Sequence, residues 1–193
     1  MSLPITREKA IELLKKYNKD KQDFNHYLES EAIMRKLAEK LEEDADYWAM
    51  LGLLHDIDWG ITKQDTKIHM SKAPEILKEA GFDEEFIETV LSHGYGFEIP
   101  GFEDKKRSNK TEYALACSET ITGLIHAYAL MRGSKISDME VSGLKKKFKD
   151  KRFAAAVRRD IIRECEGLGL SLEEFFEVAI NAIKEIKEEV GLT

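Results

Sequence analysis

Cysteine is scarce in this chain: Cys117 and Cys165 are the whole complement in 193 residues. Two thiols without metal-ligand spacing cannot build a disulfide framework or a thiolate zinc site, and they suit a reducing compartment. Proline is equally sparse, with three in the chain, so few helices need be interrupted. Apolar runs fall far short of the ~18 residues that suggest a membrane span. The opening MSLPITREK lacks a secretory signal's apolar core, so a cytoplasmic protein is expected. An excess of cations is missing too. Lys and Arg total 30 against 37 Asp and Glu, a net charge of −7, which argues against binding nucleic acid polymers through bulk charge. There is no repeat, no low-complexity segment and no alternating strand pattern longer than a few residues. Nor is there a Ser-His-Asp set, a Gly-rich phosphate loop or a GxGxxG motif to offer a competing chemistry.

What is present is helical. Hydrophobic residues make up 42% of the chain, enough for a core, and they recur at helical spacing almost throughout. Thr6 is placed to cap a short helix running to about Tyr17. Longer helices are expected from about Asp20 to Glu43 and from Ala45 to His55-Asp56, with a polar loop beginning at Asp58. A helix from near Thr66 should stop before Gly81, and Asp83 should cap the helix carrying Phe86, Ile87, Val90 and Leu91. GYGFEIPGF reads as an exposed loop. From Lys110 to Arg132 the apolar residues lie nearly all round the helix, which marks it as central. Ser137 to Lys149, Arg152 to Gly167 and Ser171, a good N-cap, to Val190 should be helical too. The expectation is an all-α fold of eight or nine helices over residues 1–193, one domain with a core of about 20–132 and the helices of 137–190 packed on it.

The chemistry rests on histidines and one misplaced acid. His55 lies four residues after Leu51, and His93 three after Val90, so both face inward. His26 sits at the edge of its helix's apolar face. Inward imidazoles need partners, since a stranded buried polar group costs about 1–3 kcal/mol. Glu119 is sharper still: a carboxylate in the middle of an apolar helix is expensive unless it meets a cation or a metal. In order, the pattern is His26, 28 residues, His55-Asp56, 12 residues, His69, 23 residues, His93, 25 residues, Glu119. Imidazole with carboxylate suits a divalent transition metal such as Fe or Mn.

That order, on helices, resembles the HD-domain superfamily of metal-dependent phosphohydrolases. LGLLHDIDW, HMSKAPEIL, TVLSHG and ACSETITGLI carry the resemblance over about residues 20–132. The tail KKKFKDKRFAAAVRRDII is similar to that of an uncharacterised bacterial branch of predicted HD hydrolases. The resemblance implies metal ligands at His26, His55, Asp56 and the last acid, with His69 and His93 holding a second ion and Asp56 bridging as the catalytic residue. One or two ions are implied, Fe or Mn first, with Mg, Zn, Ni or Co as further candidates. The chain departs from the pattern at one place, where the usual Asp is Glu119; Asp104 and Glu112 sit in polar surroundings and fit less well.

Other positions divide between roles. His126 matches no position of the pattern and reads as a packed histidine or a partner of a ligand. Lys63, Lys67 and Lys72, and the basic run containing Lys147 and Arg152, are candidate contacts for a substrate phosphate, although such a run is usually a solvated face. Trp59 and Tyr95 could stack on a base, though packing is the commoner role. The expected function is hydrolysis of a small phosphate ester such as a nucleotide. The alternatives are a non-catalytic metal- or nucleotide-binding module and a di-iron oxygenase on the same helices.

Overall fold

The computed structural model describes residues 3–193, and among them all regular structure is helical. Helix α1 is Arg7–Tyr17, α2 Lys21–Leu41, α3 Ala45–Leu54, α4 the single turn Trp59–Thr62, and α5 Ala73–Glu79. Then come α6 Glu84–Leu91, α7 Lys110–Met131, α8 Val141–Lys149, α9 the single turn Arg159–Ile162, and α10 Leu172–Glu185. Thr6, Asp83 and Ser171 cap α1, α6 and α10 through their side-chain oxygens. Gly81 follows α5 in the left-handed region at φ 91°, as a glycine just past a helix end does.

Helices α2, α3 and α7 form the frame. Tyr47 to Leu54 of α3 are buried on every side, the consequence of an almost wholly apolar sequence. Helix α3 crosses α2 at Gly52, where a Cβ would stand 2.6 Å from the Ser30 carbonyl oxygen. No larger residue fits there without separating the two helices. Helix α7 packs on both, and α10 lies against α2 and α8. One apolar cluster runs from Ala10 on α1 to Leu192 near the C-terminus. No described helix is long and apolar enough to cross a membrane.

Five segments differ from the sequence expectation. Instead of a helix from Thr66, the chain makes a 3-10 turn at Thr66–Ile68 and enters α5 only at Ala73. Pro74 stands in the first turn of α5; it has no N–H to give and would break a longer helix there. The polar loop expected at Asp58 includes the turn α4. Between α7 and α8, the backbone of Ile136 and Ser137 donates to the Thr193 carbonyl at 2.7 and 3.1 Å, which delays α8 to Val141. Residues 152–167 are turns around α9 and a 3-10 stretch, with Ala154 at φ 44°. There the Arg159 guanidinium takes the carbonyls of Phe153, Ala154 and Val157 that a helix would have used. Helix α10 stops at Glu185, short of Val190.

Candidate metal centre

His26 comes from the second turn of α2, and His55 caps the C-terminus of α3 just beyond the Gly52 crossing. Their Nε2 atoms lie 3.0 Å apart. His69 ends the 3-10 turn Thr66–Ile68, and His93 sits in a second 3-10 turn, Ser92–Gly94, after α6. Their Nε2 atoms are 3.2 Å apart. Asp56 stands between the pairs. Its Oδ2 lies 3.6 and 3.7 Å from the Nε2 atoms of His55 and His26, and its Oδ1 3.1 and 3.3 Å from those of His69 and His93. The described residues thus hold two donor triads, His26/His55/Asp56 and Asp56/His69/His93, which share one carboxylate.

The far side of each ring shows which nitrogen is free. Nδ1–H of His55 donates to the Gly52 carbonyl at 2.8 Å, and Nδ1–H of His93 to the Val90 carbonyl at 2.6 Å. Nδ1 of His26 meets Thr122 Oγ1 at 2.8 Å. The Thr122 hydroxyl itself donates to the Glu119 carbonyl at 2.6 Å, so its oxygen accepts from the imidazole. Nδ1 of His69 lies 3.2 Å from Asp58 Oδ1. All four rings spend their Nδ1–H on acceptors and turn Nε2 inward, the arrangement by which outer partners orient metal-binding imidazoles.

Lone pairs 3 Å apart repel unless a proton or cation lies between them. His69 holds such a proton: burial opposes it, but Asp56 and Asp58 outweigh burial and lift the imidazole to about 10. Full burial drives His55 down to about 3. Burial would also push Asp56 upward, yet the surrounding imidazoles, His55 first, hold it well below the usual carboxylate range. The donor spacing fits a metal. Two ligands at ~2.1 Å from one ion lie ~3.0 Å apart at right angles and ~3.4 Å apart at the tetrahedral angle. The edges of the His69/His93 triad fall in that range, and those of the His26/His55 triad run from it to slightly longer.

Glu119 joins neither triad. It stands half-buried on the wall of the adjoining cavity, where the Thr120 hydroxyl donates to its Oε1. Burial raises its pKa, against the opposing pull of His93 and His26. The cavity, about 640 Å³, has Asp56, His69 and His93 along its base and Trp59, Phe97 and Ile99 among its apolar lining. Trp59 packs edge-on against the His69 ring, with centroids 5.0 Å apart. Tyr95 is buried beside Phe102.

Lys63, Lys72, Lys147 and Arg152 are not on the wall of this cavity, nor is Lys67. Lys63 is held by Asp23 at 2.8 Å, and Arg152 is exposed and paired with Asp150. Lys147 lies over the Tyr128 and Phe153 rings. The cation among the lining residues is Arg158, whose guanidinium covers Phe97 at 5.2 Å. Glu112 is occupied in the capping box that starts α7. His126 pairs with buried Glu29 at 2.7 Å, apart from both triads.

Two residues outside the His/Asp pattern are central here. Asp58 is fully buried and accepts from the backbone N–H of Met70, Lys72 and Ala73 as well as facing His69. Its signal was the spacing Asp56-x-Asp58 directly after an apolar helix. Thr122, three residues beyond Glu119, orients His26.

The sequence model of the HD domain family matches residues 23–130. That stretch runs from just before His26 to the end of α7 and contains all five triad residues. No curated protein and no solved structure matches the chain.

Proposed function

The chain belongs to the HD domain family, and from that premise we propose that it is a metal-dependent phosphohydrolase cleaving a small phosphate ester of nucleotide size. The observation that carries this reading is the pair of donor triads sharing Asp56 at the base of a cavity of about 640 Å³. Nitrogen and oxygen donors without thiolate favour Fe or Mn, with Mg, Zn, Ni and Co as candidates. His26, His55 and Asp56 would hold one ion, and Asp56, His69 and His93 the other. When bound, two such ions supply an activated water and neutralise charge on the phosphoryl group and its leaving oxygen.

The chain's own groups do the rest. Asp56 keeps both carboxylate oxygens directed at the triads. Glu119, the acid that the resemblance put among the ligands, is assigned instead to proton transfer: burial brings it nearer the pKa of an acid–base group, and its carboxylate faces the cavity. Trp59 and Phe97 supply an apolar wall for the organic part of the substrate. Arg158 supplies the positive charge that meets its phosphate, the part first sought in Lys63, Lys72, Lys147 and Arg152.

The deciding experiment is elemental analysis of the purified protein, followed by a phosphate-release screen over nucleotides and p-nitrophenyl phosphate with each metal. Two ions per chain and turnover of at least one ester are expected. Stable metal binding with no release from any ester would instead establish a binding module. Oxygen consumption by the iron-loaded protein would establish an oxygenase.

A further inference from the structure

The 3-10 turn carrying His93 is held from outside by a buried guanidinium. Nη1 of Arg107 donates to the carbonyl oxygens of Ser92 at 2.8 Å, Tyr95 at 3.1 Å and His93 itself at 3.4 Å. The side chain is only 6% exposed although it comes from the irregular segment before α7. Its other edge is committed to one carboxylate: Nη2 donates to Glu164 Oε1 at 2.8 Å, and Nε to Glu164 Oε2. Tyr113 secures the same residue from behind, its hydroxyl donating to the Arg107 carbonyl at 3.0 Å.

Glu164 lies in the 3-10 stretch Arg163–Leu168, well past residue 130, where the HD match ends. The approach of that stretch is close. At Gly167 a Cβ would stand 2.9 Å from the Tyr113 ring.

We propose that Arg107 and Glu164 form a clamp that positions His93 for the second metal, so that the chain beyond the family match controls one of the two ligand pairs. His93 is fixed at two points. The Val90 carbonyl sets which ring nitrogen points inward, and the clamp sets where the turn bearing the ring stands. A planar guanidinium can serve a carboxylate on one edge and several carbonyls on another; an ammonium offers no such fixed fork. His26 and His55 make no contact with the clamp and come from helices positioned by their own packing. This inference rests on the reading that His69 and His93 are metal ligands.

The test is a Mn2+ titration by calorimetry, with metal-to-protein ratios, on the full-length protein and three variants. These are Arg107→Lys, Glu164→Gln, and the double variant Arg107→Met with Glu164→Leu. The double variant removes both charges together and leaves neither stranded in the interior. The wild type should bind two ions. Each variant should weaken the second binding event by about 10–100-fold, the range for loss of an outer partner, while the first event keeps its affinity. A general loss of structure would move both events, so equal weakening of the two overturns the clamp, as does a ratio of two with unchanged affinities. A wild-type ratio of one overturns the two-ion reading, and the clamp's role with it. As a second readout, the metal-free double variant should give altered His93 side-chain resonances in NMR, with those of His26 unchanged; an unaltered His93 spectrum counts against the clamp.

Discussion

The two donor pairs that share Asp56 are built in different ways. His26 and His55 stand on α2 and at the end of α3, long or wholly buried helices whose crossing at Gly52 sets their separation. His69 and His93 stand on 3-10 turns of three residues each, too short to be placed by helix packing. Buried charges place them instead. Asp58 gathers three backbone N–H groups around His69, and Arg107 gathers the carbonyls around His93. Apolar packing is non-directional and tolerant of single losses, whereas a buried hydrogen-bonded charge fails as a unit when one partner is removed. The first pair should therefore resist substitution in its surroundings, and the second should not.

The largest effect should come from the residue common to both pairs. Asp56→Asn is expected to abolish phosphate release and bring the metal-to-protein ratio toward zero; retention of one ion would show that the triads are independent. Next is Glu119, which belongs to neither pair. As a proton-transfer group, its Gln variant should keep both ions and lose about 10²–10⁴-fold in kcat. Loss of an ion from Glu119→Gln would return it to the ligand set.

Matched changes outside the triads separate the two pairs further. Asp58→Asn should lower affinity at the His69/His93 position about 10–100-fold and destabilise the fold by about 1–3 kcal/mol. Thr122→Val, which removes the acceptor for His26, should weaken the other position toward the lower end of that range and leave the melting temperature nearly unchanged. Equal effects from the two would remove the distinction between packed and charge-held ligands. Arg158→Gln should raise KM about tenfold with metal content intact. Its present partner, Asp160, is an exposed carboxylate two residues away, and such pairs contribute little, so the guanidinium is free to exchange it for a substrate anion.

The smallest effect concerns His126, which lies outside both pairs. Its hydrogen bond to Glu29 raises its pKa above 6.5 against the opposing effect of burial. A raised folded-state pKa means that the protonated imidazole contributes stability fully below the unfolded value, and that this contribution is lost as pH rises through the folded value. Denaturant melts of the metal-free protein should show stability falling as pH rises above about 6.5. His126→Gln should reduce that slope, to which His69 also contributes, and an unchanged slope would assign it to His69 or another group.

Much of this was legible in one sequence. Helical periodicity placed α1, α2, α3, α6 and α7, and Thr6, Asp83, Gly81 and Ser171 marked where helices begin or end, because caps and apolar stripes are properties of neighbouring residues. His26, His55 and His93 were visible for the same reason, each read against its own helix, while His69 and the order of the set were legible through the resemblance to the HD-domain superfamily. The segments that escaped were those whose backbone groups are satisfied from elsewhere. The late start of α5 depends partly on Asp58, the turns at 152–158 on Arg159, and the delayed α8 on the C-terminal residue Thr193. Pro74 was the one local clue among them.

The sequence by itself therefore determined the helical class, the residue types available to a metal and the order in which they come. The tertiary structure alone decided that Asp56 faces both histidine pairs, that Glu119 stands aside from them, and that the cation at the cavity is Arg158 rather than a lysine of the basic run. It also decided that Glu164 reaches Arg107 across 57 residues. Local propensity acts over a turn or two of helix, while a buried charge is satisfied by whichever partner the folded chain brings within about 3 Å, and that partner leaves no periodic mark in the sequence.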